Sequence, residues 1–254
     1  MSGNMTNSDA SQDYGPQGDS LNTDSAAHSP QAGANNEGAT ANQESTDQES
    51  TANATWSRLL AGNRRFAQGQ PEHPWQDTTT RESLIDAQHP DAAILSCGDS
   101  RVPPEIIFDQ GLGDMFVVRT AGEVLDSAVI SSLEFAVDTL HTSLLVVLGH
   151  EHCGAVQGTV DELGALDDER LDELDRIVAT SSSPITASVG ESILESRRAG
   201  LTDTDDFERV HIARTIEHLA SESESLSSAL NEGRLRIVGA RYRVSDGVVE
   251  VLSF

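Results

Sequence analysis

Ser143-Leu144-Leu145-Val146-Val147-Leu148-Gly149-His150-Glu151-His152-Cys153-Gly154 is the stretch on which the reading of this chain turns. Residues 143–148 are almost continuously apolar and β-prone, as a strand covered on both faces should be. The run ends at Gly149-His150, and a helix is expected from about Cys153. A doubly covered strand feeding a helix belongs to a parallel sheet with crossover helices.

The flanking sequence fits that sheet. Upstream, a strand is expected over Ala92–Ser96, ending at Cys97-Gly98-Asp99-Ser100-Arg101. Pro103 can open a short helix through Phe108, and a second strand is expected over Met115–Arg119. Asp126 then caps a helix carrying Val129, Leu133, Val137 and Leu140. Downstream, residues 161–230 read as several acidic amphipathic helices. Arg234–Val244 and Val248–Leu252 read as a closing hairpin around Asp246-Gly247. Towards the N-terminus, Trp56, Leu59, Leu60 and Phe66 have helical spacing. The prolines of Pro71–Gln76 mark a loop, and a short helix over Ser83–Ala87 is expected from a Thr79 or Thr80 cap.

Residues 1–53 hold no arginine or lysine and no apolar run, so they are expected to be a disordered acidic tail, with order beginning near Thr55. Residues 54–254 are expected to form one α/β domain. Its class is α/β: a mainly parallel central sheet flanked by helices, with an N-terminal helical arm and a C-terminal antiparallel hairpin or edge strand.

The two cysteines of the chain are Cys97 and Cys153, and each lies just past an expected strand. Soft thiolates with a borderline imidazole favour Zn2+, and three protein ligands leave a fourth position available. His150 is preferred to His152 as the nitrogen donor, because a His-x-Cys pair splays more in a turn. Alone, each cysteine would read as a small buried apolar group. Asp99 and Arg101, two residues apart, can pair as carboxylate and guanidinium. Asp99 then has two options: to bind the ion and close the site, or to be held back by Arg101 and accept a hydrogen bond from a zinc-bound water.

Composition narrows the function further. The chain carries 42 acids against 16 bases, a formal net charge of −26, and every base is arginine. Such a surface suits a salt-rich interior, as in halophiles, where screening removes the self-repulsion. No basic footprint for nucleic acid is present, and nothing favours an anionic membrane. No apolar stretch is long enough to span a bilayer, and the N-terminus lacks the features of a secretory signal, so a cytoplasmic protein is expected. Cysteines assigned to a metal also fit a reducing compartment.

At Cys97-Gly98-Asp99-Ser100-Arg101-Val102-Pro103, Phe116-Val117-Val118-Arg119 with Ala121-Gly122, and Gly149-His150-x-x-Cys153-Gly154, the chain resembles the β-class carbonic anhydrases. The Leu59–Phe66 helix and the proline-rich loop after it also look like bacterial members, so the resemblance covers roughly residues 55 to 254. It implies reversible hydration of CO2 to bicarbonate and a proton by a zinc-bound hydroxide, with Cys97, His150 and Cys153 as ligands. Asp99 and Arg101 would be the dyad that gates the fourth position, with Asp99 itself the fourth ligand in a closed state. Gly154 would offer its N–H to the substrate, and Gln76, Phe116, Ala121 and Phe135 would line the CO2 pocket. A homodimer or dimer of dimers is implied, with the pocket at the subunit interface and the first helix embracing the partner. His152 is a candidate proton carrier.

Two positions depart from the family pattern. Thr120 stands where asparagine is frequent, and Ile94 where the allosterically inhibited subgroup has tryptophan. The alternatives are a CS2 or COS hydrolase on the same scaffold, and a non-catalytic zinc or bicarbonate-sensing protein.

Overall fold

The structure is a computed structural model and describes residues 37–164 and 171–253. Five strands, β1 (Ala92–Cys97), β2 (Met115–Thr120), β3 (Leu144–His150), β4 (Arg236–Tyr242) and β5 (Val249–Ser253), form one sheet in the order β2-β1-β3-β4-β5. The first four pair in parallel and β5 pairs antiparallel with β4, as the expected closing hairpin requires. Every residue of β1 and β3 is buried, which accounts for their unbroken apolar character.

The alternation of β1 and β3 divides the core in two. Ala92, Ile94, Leu144, Val146 and Leu148 face α1 (Glu37–Ala67) and α3 (Pro104–Ile107), meeting Trp56, Leu59, Ile107 and Phe108. Ala93, Leu95, Leu145 and Val147 face α4 (Ser127–Asp138), α8 (Thr204–Glu222) and α9 (Glu224–Asn231), meeting Leu133, Ile212, Leu219 and Leu226. A third cluster joins Cys97 and Cys153 to side chains of α5 (Gly154–Leu163), α6 (Leu171–Ala179), α7 (Pro184–Arg198) and α8. The expected cap holds: the Asp126 carboxylate accepts the Val129 N–H at 2.8 Å.

Two expectations are corrected. Helix α1 begins at Glu37, so residues 37–53, expected in the disordered tail, are helical; the rest of that expectation, residues 1–36, lies outside the described residues. Ala52 and Thr55 are already buried in α1, and Trp56 packs edge-on against Phe108 at 6.1 Å between centroids. Once that turn is anchored, each added residue gains a backbone hydrogen bond without a new nucleation penalty, and the Glu, Ala and Gln content favours extension. The second correction is α2, which spans Thr78–Ser83 rather than 83–87. Asp77 outcompetes the threonines as cap, its carboxylate accepting the Thr80 N–H at 2.9 Å.

Candidate metal centre

The chain runs from β1 outward to β2 at the sheet edge, then returns across β1 to β3. The connections therefore diverge between β1 and β3, leaving a crevice beyond the carboxyl ends of those two strands. Cys97 is the last residue of β1 and His150 the last of β3, and Ser96 stands in register with Leu148. Cys153 follows at the N-cap of α5. His152 takes a left-handed backbone conformation, φ 57°, and this bend brings Cys153 round beside His150.

One ligand atom from each of Cys97, His150 and Cys153 lies within 4.8 Å of the others, and all three residues are buried. The two sulfurs are 4.0 Å apart. Two thiolates on a tetrahedral zinc, each about 2.3 Å from it, would stand about 3.8 Å apart. The His150 Nδ1–H donates to the Glu151 carbonyl at 2.9 Å, which fixes the tautomer and leaves Nε2 with a free lone pair. That Nε2 is buried and has no hydrogen-bond partner among the described residues. An orphaned ring nitrogen beside two converging sulfurs is the donor set that zinc completes. His152, the rival nitrogen, is exposed and lines an open groove instead.

The hydrogen bond between the sulfurs holds Cys97 below the ordinary thiol range and pushes Cys153 above it. The Gly122 N–H also donates to the Cys97 sulfur, at 3.4 Å. Asp99 turns toward Arg101: its two oxygens accept from Nε at 3.0 Å and Nη2 at 2.7 Å, and Oδ1 also accepts the Arg101 backbone N–H at 2.9 Å. That guanidinium holds the Asp99 carboxyl far below the usual carboxylate range. Arg101 in turn donates to the His152 carbonyl at 3.1 Å, tying the β1 loop to the β3 loop. The Asp99 Oδ2 lies 4.0 Å from His150 Nε2.

The remaining candidates are scattered. Ala121 packs beside Gly98, next to the ligands, and Gly154 lines the groove of ≈ 590 Å³ that it shares with His152, Gln157 and Asp203. Phe116 and Phe135 meet each other, with centroids 6.1 Å apart, and Phe135 remains largely exposed. Gln76 lies in a different groove, with Glu105, Gln110 and Leu112.

Several residues were missed. Arg119 donates to the carbonyls of Cys97 at 2.9 Å and Asp99 at 2.6 Å, holding the first loop from β2. Its signal was an arginine ending an otherwise apolar strand. Glu123, Glu208, His211 and Arg241 are all buried around the ligand loops. Their signal was weak, since charged residues in a helix or at a strand end are ordinarily assigned to solvent.

Comparison with known proteins agrees with this geometry. The family model described as carbonic anhydrase matches residues 92–249. The chain is similar to a carbonic anhydrase of Mycolicibacterium smegmatis, 47% identical over 200 residues covering 79% of this chain and 93% of that one. It is 45% identical to carbonic anhydrase 2 of Mycobacterium tuberculosis over 194 residues, 76% of this chain and 89% of the relative. In fold it matches the Coccomyxa β-carbonic anhydrase solved with acetazolamide, with a TM-score of 0.57 and 24% identity over 76% of this chain and 84% of that one.

Proposed function

As a member of the β-class carbonic anhydrase family the chain is a carbonate dehydratase, and we propose that it hydrates CO2 reversibly at a zinc ion held by Cys97, His150 and Cys153. The observation that carries this reading is the buried, unpartnered His150 Nε2 beside two sulfurs 4.0 Å apart. When bound, zinc supplies a hydroxide nucleophile from water near neutral pH.

The chain's own residues do the rest. Asp99, kept ionised by Arg101, accepts a hydrogen bond from the nucleophile and directs its lone pair at the CO2 carbon. Arg101 also decides where Asp99 stands: while the fork holds both carboxylate oxygens, Asp99 would leave a bound ion open to water and substrate. Release from Arg101 would let the carboxylate close the site. The two thiolates cancel most of the cation's charge, so activity is greatest on the alkaline side. The Gly154 N–H, at the start of α5, offers a hydrogen bond to a substrate oxygen. With the ion bound, water would displace bicarbonate, and His152, which lines the groove beside Gly154, would carry the proton outward.

Phe116, Ala121, Phe135 and Gln76 line the CO2 pocket in a homodimer. Gln76 stands in a separate groove within one chain, so the second copy supplies it. The free, buried cysteines suit a reducing cytoplasm. Among the described residues, no helix is long and apolar enough to cross a membrane.

Metal analysis and stopped-flow CO2 hydration test the reading together. The purified protein is expected to carry one zinc per chain and to hydrate CO2, and Cys153→Ser to lose both. Asp99→Asn is expected to keep zinc while its hydration rate falls on the order of 10²-fold or more. A zinc-free purified protein, or full activity in Asp99→Asn, would refute it.

A further inference from the structure

Helix α8 carries none of the three candidate ligands, yet one of its faces touches the support of each. Glu208, His211 and Ile212 stand at i, i+3 and i+4 and so share that face. The Glu208 Oε1 accepts the Cys153 backbone N–H at 3.1 Å, and its Oε2 accepts from Arg241 of β4 at 2.8 Å. The His211 Nε2–H donates to the Gly122 carbonyl at 2.6 Å, while the Ser192 hydroxyl of α7 donates to Nδ1 at 2.9 Å. Gly122 is the residue whose own N–H reaches the Cys97 sulfur. Ile212 lies across Gly149, where an added Cβ would fall 2.6 Å from the Ile212 Cδ1; the residue before His150 is bare so that the helix can lie this close.

We propose that Glu208 and His211 are positioning residues for the metal centre, through which α8 locks two cysteine ligands, one ending β1 and one at the N-cap of α5, into one geometry. Both side chains are buried on the inner face of the helix, where apolar residues would fill space at no desolvation penalty. One bond from each instead reaches backbone at the centre: Glu208 takes the Cys153 N–H, and His211 the carbonyl of Gly122, whose own N–H meets the Cys97 sulfur. Outer partners of this kind set the orientation of ligands, and losing one typically weakens metal binding by about 10- to 100-fold.

The inference rests on the zinc reading above, and its test separates the two. Zinc affinity of the full-length protein is measured by competition with a chromophoric chelator, and folding of the metal-free form by circular dichroism. His211→Phe is expected to weaken zinc binding about 10- to 100-fold, and His211→Gln, whose amide can donate to the same carbonyl, to recover most of that loss. In the cobalt-loaded protein, the thiolate-to-metal absorption band is expected to shift in His211→Phe and not in His211→Gln. An unaltered protein that binds no zinc overturns the zinc reading itself. If the unaltered protein binds zinc and a folded His211→Phe binds it as tightly, the positioning role is overturned alone. Should His211→Phe fail to fold, hydrogen–deuterium exchange on the unaltered protein decides. Slower exchange across residues 208–215 on adding zinc supports the coupling. Unchanged exchange there, while the ligand loops become protected, overturns it.

Discussion

At the scale of single residues, the centre is built from groups whose partners were chosen by geometry rather than by strength. Asp99 could have turned to the His150 ring, 4.0 Å away, but Arg101 offers a planar fork and a backbone N–H within the same turn. Arg119 closes the loop from the other side by capping two of its carbonyls. Glu123 is the counter-case. Its Oε1 is buried with no hydrogen-bond partner among the described residues, and its backbone is left-handed, with φ 50°. Burial raises its pKa well above the ordinary value, and the neighbouring Cys97 and Glu208 add to the shift. The folded protein therefore keeps a proton that the unfolded chain releases above about pH 4.3. Stability contributed by this group is complete below that pH and declines as pH rises toward the raised folded value, by at most about 1.4 kcal/mol per pH unit. Glu123→Gln has no proton to release, so its stability relative to the unaltered protein should improve as pH rises from about 5 toward the raised folded value. Urea unfolding midpoints across that range check this, and parallel pH profiles for the two proteins would refute it.

At the scale of elements, the join between α1 and the sheet depends on Asn63. Its Nδ2 donates to the carbonyls of Ile107 at 3.2 Å and Gly247 at 2.9 Å, and its Oδ1 accepts the Val249 N–H at 2.8 Å. One buried amide thus satisfies α1, the end of α3 and the start of β5. Beside it, Gly62 admits no side chain, since a Cβ there would meet the Phe108 carbonyl oxygen at 1.8 Å. Asn63→Ala leaves buried backbone groups unpaired, at about 1–3 kcal/mol for each one that water cannot reach. A loss of about 2–4 kcal/mol in denaturant unfolding is expected, and a change below about 1 kcal/mol would show that water replaces the amide. This joint was not legible in the sequence, because an asparagine within a helix is ordinarily assigned to solvent. What was legible follows the same logic in reverse. Strands β1 and β3 could be read because burial on both faces leaves them mostly apolar, and the ligands because one cysteine ends β1 and the other lies just past β3. The start of α1 could not be read, since polar residues 37–50 are recruited by packing further along. Nor could the place of α2, where two kinds of cap compete, or the inward Glu208 and His211, whose bonds to Cys153 and Gly122 span more than 50 residues.

At the scale of the whole molecule, 42 acids face 16 arginines, which leaves a net charge of −26. Many of these are already engaged locally: Arg58 with Asp91 at 2.6 Å, Arg234 with Glu232 at 2.7 Å, Arg243 with Asp246 at 2.6 Å and Arg209 with Glu250 at 3.2 Å. Exposed pairs of this kind contribute little each, so they do not offset the repulsion among the acids left over. That repulsion reaches across the surface at low ionic strength, where the Debye length is about 10 Å at 0.1 M salt, and is largely extinguished at about 1 M, where it is about 3 Å. The buried Arg241–Glu208 pair, at 2.7 Å, is shielded from mobile ions and should not weaken over that range. The thermal midpoint of the full-length protein should therefore rise with KCl and bend over near about 1 M as screening saturates. Exclusion of salt from the surface would act differently, raising the midpoint in proportion to concentration well beyond that point. A curve that climbs steeply below 1 M and then flattens assigns the effect to the acidic surface. A midpoint that is already level between 0.1 and 1 M would mean that the excess carboxylates stand far enough apart to be solvated singly, and that the composition is not an adaptation to salt.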